Sequence, residues 1–402
     1  MTEYLKLLSV LALIVAMMRI KIGMGISLIV SSLLIGFLFF ESFLEIPIVF
    51  YQSVTSYTTI KTVLIVYGVL LLSYVMKERQ IDRMIGGLTQ LFRSIKYAII
   101  VPPMLLGLLP MPGGAMLPAA IIDSMGTPLK LTPEQKTYIN YWFRHIWEYF
   151  WPLYPGLILT ASIMQISIKR IMVHQFYLTI LAFVIGLIVI YLIKGNASNE
   201  ARKNAKDGLT ALVRSILPIL IMILLIIATP VSEEIIVLGV TFIYLIVTKM
   251  PFKKKVESLF KSVSAESMLL ILGVMIFKDF LIASKSLDSI AGSMSREVSI
   301  YGLLVIMPFL MGFLTGINQA YVGIALPIAA QLILSQGGID FTKLTLFYAA
   351  GFAGVLLSPV HLCLSLTKEY YKAEWPKIYK MLIPSVIPIL LIPILIYMFF
   401  GK

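Results

Sequence analysis

Residues 103–115 read PMLLGLLPMPGGA, and residues 308–320 read PFLMGFLTGINQA. Laid over one another, Pro103 meets Pro308, Gly107 meets Gly312, Leu109 meets Leu314 and Ala115 meets Ala320. Both stretches interrupt apolar segments, 98–124 and 301–334. A bilayer crossing takes about 20 residues, so each segment is too long for one crossing and short for two. Backbone polar groups cannot stand open to lipid, so such breaks are tolerated only where they are buried in protein or line a wet cavity. Two re-entrant helical hairpins are therefore expected. The plainer alternative is a pair of surface turns, but both tips lack the charges that other loops of this chain carry.

Working outward, the surroundings of the two hairpins repeat. Before the first come the apolar runs Leu5–Met18, Gly23–Phe40 and Thr62–Met76 and a short amphipathic stretch, Ile81–Arg93. After it come the span 138–165, broken at Trp151–Gly156, and the unbroken Ile171–Ile193. A polar linker, 194–208, precedes Leu209–Ala228, Ile235–Val247, the basic Lys249–Lys261, Met268–Ala283 and the polar Ser284–Val298. Then follow the second hairpin, the span 344–366 broken at Ser358-Pro359, and Ile378–Phe400. At nearly the same offset, Pro152 falls on Pro359 and Tyr141 on Tyr348. An order of elements repeated at one spacing is a stronger signal than identity in Leu-rich text.

The expected fold is an all-α polytopic membrane protein with two repeats, 1–193 and 209–402. Each holds five transmembrane helices plus one hairpin. Five is odd, so the second repeat is inverted relative to the first. With both termini outside, 22 of the 33 Lys and Arg fall in inside segments, 8 fall outside and 3 lie within spans. That is the asymmetry the positive-inside rule demands.

Composition agrees. Of 402 residues, 59% are hydrophobic and 13% charged, with a mean hydropathy of +0.95. Soluble domains average about 25% charged residues, so an ordinary soluble enzyme and a disordered chain are excluded. The net charge of +13 reads as topology, not as a nucleic-acid surface. The single cysteine, Cys363, excludes an internal disulfide and a cysteine cluster. A removable signal peptide is not expected, because the first apolar run lacks a basic n-region and a small-residue cleavage site.

The breaks carry the candidate chemistry. Pro112, Gly113 and Gly114 are expected to stop one helix and open the next, presenting free N–H groups suited to an anion. Gly316 is expected to turn the second tip, with Asn318 capping the return helix and Gln319 adding an amide. Thr315, Pro152, Tyr154, Ser358, Pro359 and His361 are the candidates for ion coupling. A proline frees a carbonyl about one turn upstream, and such carbonyls coordinate Na⁺. A simple proline kink is the competing reading. Arg144 and Glu148 share a helix face and can pair. They are either substrate contacts or an interfacial anchor in which Arg144 snorkels. His145 sits on another face and reads as structural. Lys278 and Asp279 are neighbours, expected to point apart toward separate partners. Three scattered histidines give no metal cluster, and neither His-Glu-x-x-His nor Gly-x-Ser-x-Gly occurs, so an enzyme is not expected.

The inverted halves, hairpins and broken spans resemble the ion transporter superfamily. Pro-Met-Pro-Gly-Gly-Ala at 110–115 and Asn-Tyr-Trp-Phe-Arg-His-Ile-Trp-Glu-Tyr-Phe-Trp-Pro-Leu-Tyr-Pro-Gly at 140–156 are more specifically similar to a prokaryotic membrane family, domain of unknown function 401. The resemblance implies a homodimer in the cytoplasmic membrane of a prokaryote. It also implies a scaffold (5–40 and 209–247), a transport part formed by the remainder, and elevator-type alternating access. The Ser-Asn-Thr tips of the divalent anion/sodium symporters are absent, so a dicarboxylate substrate does not carry over. The expected activity is secondary transport of a small organic anion coupled to Na⁺ or H⁺. Cation/proton antiport is the alternative and an intramembrane enzyme a remote one. Expected partners are that anion, the coupling ion and the lipid bilayer, with no nucleic acid and no cofactor beyond Na⁺.

Overall fold

The structure, a computed structural model, describes residues 2–89, 95–111, 114–127, 129–193, 205–263, 265–285, 300–335 and 338–401. The helices in the first half are α1 (Thr2–Arg19), α2 (Met24–Phe39), α3 (Glu45–Thr55), α4 (Tyr57–Thr89), α5 (Ile95–Ala98), α6 (Val101–Gly107), α7 (Met116–Gly126), α8 (Pro133–His145), α9 (Pro155–Met164) and α10 (Ile168–Leu192). The second half contributes α11 (Ala205–Ala228), α12 (Glu233–Val247), α13 (Phe252–Lys261), α14 (Ala265–Ala283), α15 (Met307–Thr315), α16 (Asn318–Ile333), α17 (Phe341–Leu357), α18 (Leu362–Tyr371) and α19 (Trp375–Phe400). A π-helical turn, Gly302–Ile306, leads into α15. Two residues of antiparallel pairing, β1 (Leu334–Ser335) with β2 (Gly338–Ile339), close the loop between α16 and α17.

Five stretches among the described residues are long and apolar enough to cross a bilayer: Tyr57–Gln80, Ile168–Leu192, Lys206–Ala228, Phe341–Tyr371 and Trp375–Phe400. Large apolar side chains stand exposed along α10, α11 and α19, including Ile180, Ile188, Leu224 and Leu391. That outward face is what lipid demands of an all-α membrane protein.

Packing is organised by small residues where backbones cross. Helix α2 lies against α14, and α4 against α11 and α12. A Cβ added at Gly25 would run into the Leu269 backbone, and one added at Gly273 would meet Gly25 O at 2.5 Å. Such close crossings supply the van der Waals contact that joins helices in lipid. Toward the centre, α8 packs on α6 and α18, α15 on α17, α9 on α16, and α19 on α8, α10 and α17.

Some expectations change. The amphipathic stretch Ile81–Arg93 is no separate element through Thr89, because α4 runs unbroken to that residue; residues 90–94 and the side chains of 81–95 lie outside the described part. Helix α3 was not anticipated. Most of linker 194–208 and most of Ser284–Val298 also lie outside the described residues. Lys278 and Asp279 do not seek separate partners: Lys278 Nζ lies 2.9 Å from Asp279 Oδ1. A four-carbon stem is long enough to fold back on its neighbour, and a buried ammonium is strongly driven to find a counter-charge.

Candidate functional site

Helix α8 starts with a capping box. The Gln135 N–H donates to Thr132 Oγ1 at 3.3 Å, and the Thr132 N–H donates to Gln135 Oε1 at 2.9 Å. Pro133 takes the first helical position, where its missing N–H costs nothing. The helix ends at His145, and α9 resumes at Pro155. Between them Pro152 has no N–H to offer the Glu148 carbonyl. In the second half α17 ends at Leu357, Pro359 follows, and α18 begins at Leu362. Both spans are therefore broken where their prolines fall, as expected.

The freed carbonyls do not stand open for Na⁺. Tyr348 OH donates to Glu148 O at 2.9 Å. Tyr141 OH reaches Val355 O at 3.4 Å and Leu356 O at 3.2 Å. Each tyrosine thus closes the break in the other broken span, and each is the aligned counterpart of the other.

The same exchange of equivalents joins each broken span to its hairpin. Trp151, just before Pro152, donates from Nε1 to Leu108 O at 3.1 Å. Ser358, just before Pro359, donates from Oγ to Phe313 O at 2.6 Å, and Phe313 is the aligned counterpart of Leu108. Gly107 sits against the Arg144 carbonyl, and its counterpart Gly312 against the Gly351 carbonyl; a Cβ at either glycine would overlap that oxygen. Tyr154 OH also donates to Gly107 O.

At the first tip α6 ends at Gly107, earlier than the stop expected from Pro112. The Arg144 guanidinium holds the tip instead. Nη1 donates to Leu106 O and Nη2 to Met111 O, both at 3.1 Å. A Cβ at Gly114 would come within 2.6 Å of Arg144 Nη2, so this glycine is where the backbone lets the cation in. Pro112 and Gly113 lie outside the described residues. At the second tip Gly316 adopts φ +65°, the left-handed turn a glycine makes without strain. Thr315 Oγ1 donates to Met311 O at 2.7 Å and accepts the Ile317 N–H at 3.3 Å.

Asn318 does not cap α16. The capping position falls on Ile317, with no side-chain bond. Asn318 Nδ2 instead donates to Glu148 Oε2 and Tyr348 OH, both at 3.1 Å. Its Oδ1 is buried without a partner and faces Gly156, where a Cβ would overlap it. Arg144 and Glu148 form no ion pair among the described residues. The helix stops between them, so the face they were expected to share does not exist. Arg144 is 3% exposed and turned inward, which overturns the snorkelling alternative.

His145 was read as structural and the histidines as scattered. The fold brings two of the three together: His145 Nε2 and His361 Nε2 are 3.0 Å apart. Glu148 Oε1 lies 3.7 Å from the same nitrogen of His145. The Sγ of Cys363 lies within 4.8 Å of both histidines. The spacing of His361 and Cys363 after Pro359 could have flagged this cluster; the contribution of His145, remote in sequence, could not. Gln319 is half-buried and joins none of these bonds.

These elements define a multi-pass helical membrane protein with a polar centre built from two broken spans and two interrupted hairpins. The chain belongs to the family described as "Protein of unknown function (DUF401)", whose model matches residues 2–399. No curated protein matches it.

Proposed function

We propose that this protein is a secondary active transporter moving a small organic anion, coupled to Na⁺ or H⁺, by elevator-type alternating access. One observation carries the reading. Both hairpin tips and both broken spans meet at one buried polar centre, through Arg144 beside Gly114 and through Asn318 on Glu148 and Tyr348. Such interrupted helices at the interface of two halves are the architecture in which transporters bind their cargo.

Inverted repeats are supported by the reciprocal Tyr348–Glu148 and Tyr141–Val355 contacts. The sidedness read from Lys and Arg is supported by bonds that join segments assigned to one side. Lys61 to Glu233 at 2.7 Å and Lys169 to Ile227 O at 2.7 Å join outer segments. Lys96 to Ile193 O at 2.8 Å and the Glu374 N–H to Glu134 at 3.2 Å join inner ones. The close Gly25–Gly273 crossing favours counting α14, and by the same pairing α4, with the scaffold rather than with the moving part.

The anion follows from Arg144. It donates only to neutral carbonyls, and no carboxylate pairs with it among the described residues. A buried cation is costly without a counter-charge, and an anionic substrate at the first tip supplies one. Cation/proton antiport is favoured by one observation, that Glu148 is not neutralised by Arg144.

Proteoliposome uptake across a panel of small carboxylates tests this. Uptake is expected to require a Na⁺ or proton gradient and to fall by about 100-fold or more in Arg144→Gln, the scale of losing a charge-assisted contact of about 3 kcal/mol. Absence of gradient-driven flux for every anion sinks the proposal. Na⁺-driven proton movement with no organic solute would support antiport instead.

A further inference from the structure

We propose that His145, His361 and Cys363 form a binding site for a transition-metal ion of the zinc type. The first observation concerns protons. His145 Nδ1 lies 2.6 Å from Tyr141 O, and His361 Nδ1 lies 2.6 Å from Gly316 O. A carbonyl only accepts, so each Nδ1 carries the hydrogen, and Nε2 of each neutral ring is bare. The two bare nitrogens then face each other at 3.0 Å. Two opposed lone pairs repel unless something positive lies between or beside them.

The second observation is the ligand set. Two imidazole nitrogens and a thiol sulfur within 4.8 Å of one another are the ligand types that zinc-like ions select over Na⁺. A tetrahedral ion with Zn–N near 2.05 Å sets its two nitrogens about 3.3 Å apart, within a few tenths of the spacing here. Glu148 Oε1, 3.7 Å from His145 Nε2, is a carboxylate oxygen beside the pair. The Nδ1–H bonds to backbone carbonyls are the outer contacts that fix the tautomer and aim of metal-ligating histidines. His145 and Cys363 are buried, and His361 is only partly so.

The ligands come from both broken spans, His145 from the end of α8 and the other two from the start of α18. A bound ion would therefore pin the two breaks together and, through the His361 bond to Gly316, the second tip. The proposal does not depend on what the protein transports, and its test reads no flux.

Co²⁺ titrated into the purified protein in detergent supplies the signal. The expected result is one Co²⁺ per chain, with strong tetrahedral visible bands and a thiolate-to-cobalt charge-transfer band, all erased by Zn²⁺. Cys363→Ser should remove the charge-transfer band, and His361→Gln should weaken binding by more than about tenfold. His174→Gln, at the exposed histidine stacked on Phe341, should change neither. A featureless spectrum from the folded wild-type protein, as a proton-sharing histidine pair would give, overturns the proposal. So does a charge-transfer band that survives Cys363→Ser. Wild-type folding is checked by a single symmetric elution peak. If His361→Gln does not fold, Cys363→Ser alone decides.

Discussion

The two hairpins meet their broken spans with different shares of side-chain and backbone contact. In the first half long side chains reach across: Trp147 donates to Met104 O at 2.7 Å, Trp151 to Leu108 O, and Arg144 to Leu106 O and Met111 O. In the second half the counterpart of Trp147 is Gly354, which sits directly on the Phe309 carbonyl, while Gly351 sits against Gly312. There Ser358 and His361 reach across to the hairpin backbone, and Asn318 and Tyr321 reach back to Tyr348. Both hairpins touch their spans backbone to backbone, at Gly107 and Gly312; the first adds long side-chain bonds, and the second adds a further backbone contact at Gly354. The same architecture thus leans more on side-chain bonds on one side and more on backbone contact on the other, and the side-chain side carries Arg144.

The largest expected effect tests the contact side. Gly354→Val forces a branched side chain into the Phe309 carbonyl and should cost about 3 kcal/mol or more, read as loss of the folded elution peak. Trp147→Phe on the other side removes one bond and should cost about 1 kcal/mol in thermal unfolding. Equal penalties would break the comparison. Next comes Arg144→Lys. It keeps the charge but cannot bridge two carbonyls as the planar fork does. It should cost about 1–2 kcal/mol of stability, with transport falling by roughly tenfold or more. Smaller still is the difference between the two tyrosines. Tyr348→Phe strips both Glu148 O and Asn318 of a partner and should cost more than Tyr141→Phe, by about 1 kcal/mol. The reverse order would mean that the second break, not the first, is the one that needs closing. Finally, single cysteines at Met111 and Gln319, with Cys363 replaced by Ala, should label from opposite membrane faces. Labelling of both from one face would refute the inverted hairpins.

Much of the fold was legible because its signals are local. Apolar length, proline position and Gly316 can each be read within a few residues, and the breaks fall where Pro152 and Pro359 lie. The site was legible only in part. Arg144, Glu148, Asn318, Ser358 and His361 stand out in the sequence, but their hydrogen-bond partners do not. Asn318 looks like a cap from its place beside a turn, yet its Nδ2 donates to a buried carboxylate and a tyrosine hydroxyl while its Oδ1, the capping atom, takes no N–H. Glu148 and Arg144 look paired at helical spacing, yet that spacing means nothing where the helix has ended. His145 depends on His361, 216 positions away, and no local pattern encodes that meeting.

The exchange of tyrosines has a consequence for how the chain is made. Glu148 O waits for a hydroxyl 200 positions later. At translation rates of about 5–20 residues per second, that is roughly 10–40 s on the ribosome. Throughout that interval the first half sits in the membrane with its broken span open and no sister to close it. The two halves, made as separate polypeptides cut at the 194–208 linker, should each be degraded alone and rescued by co-expression.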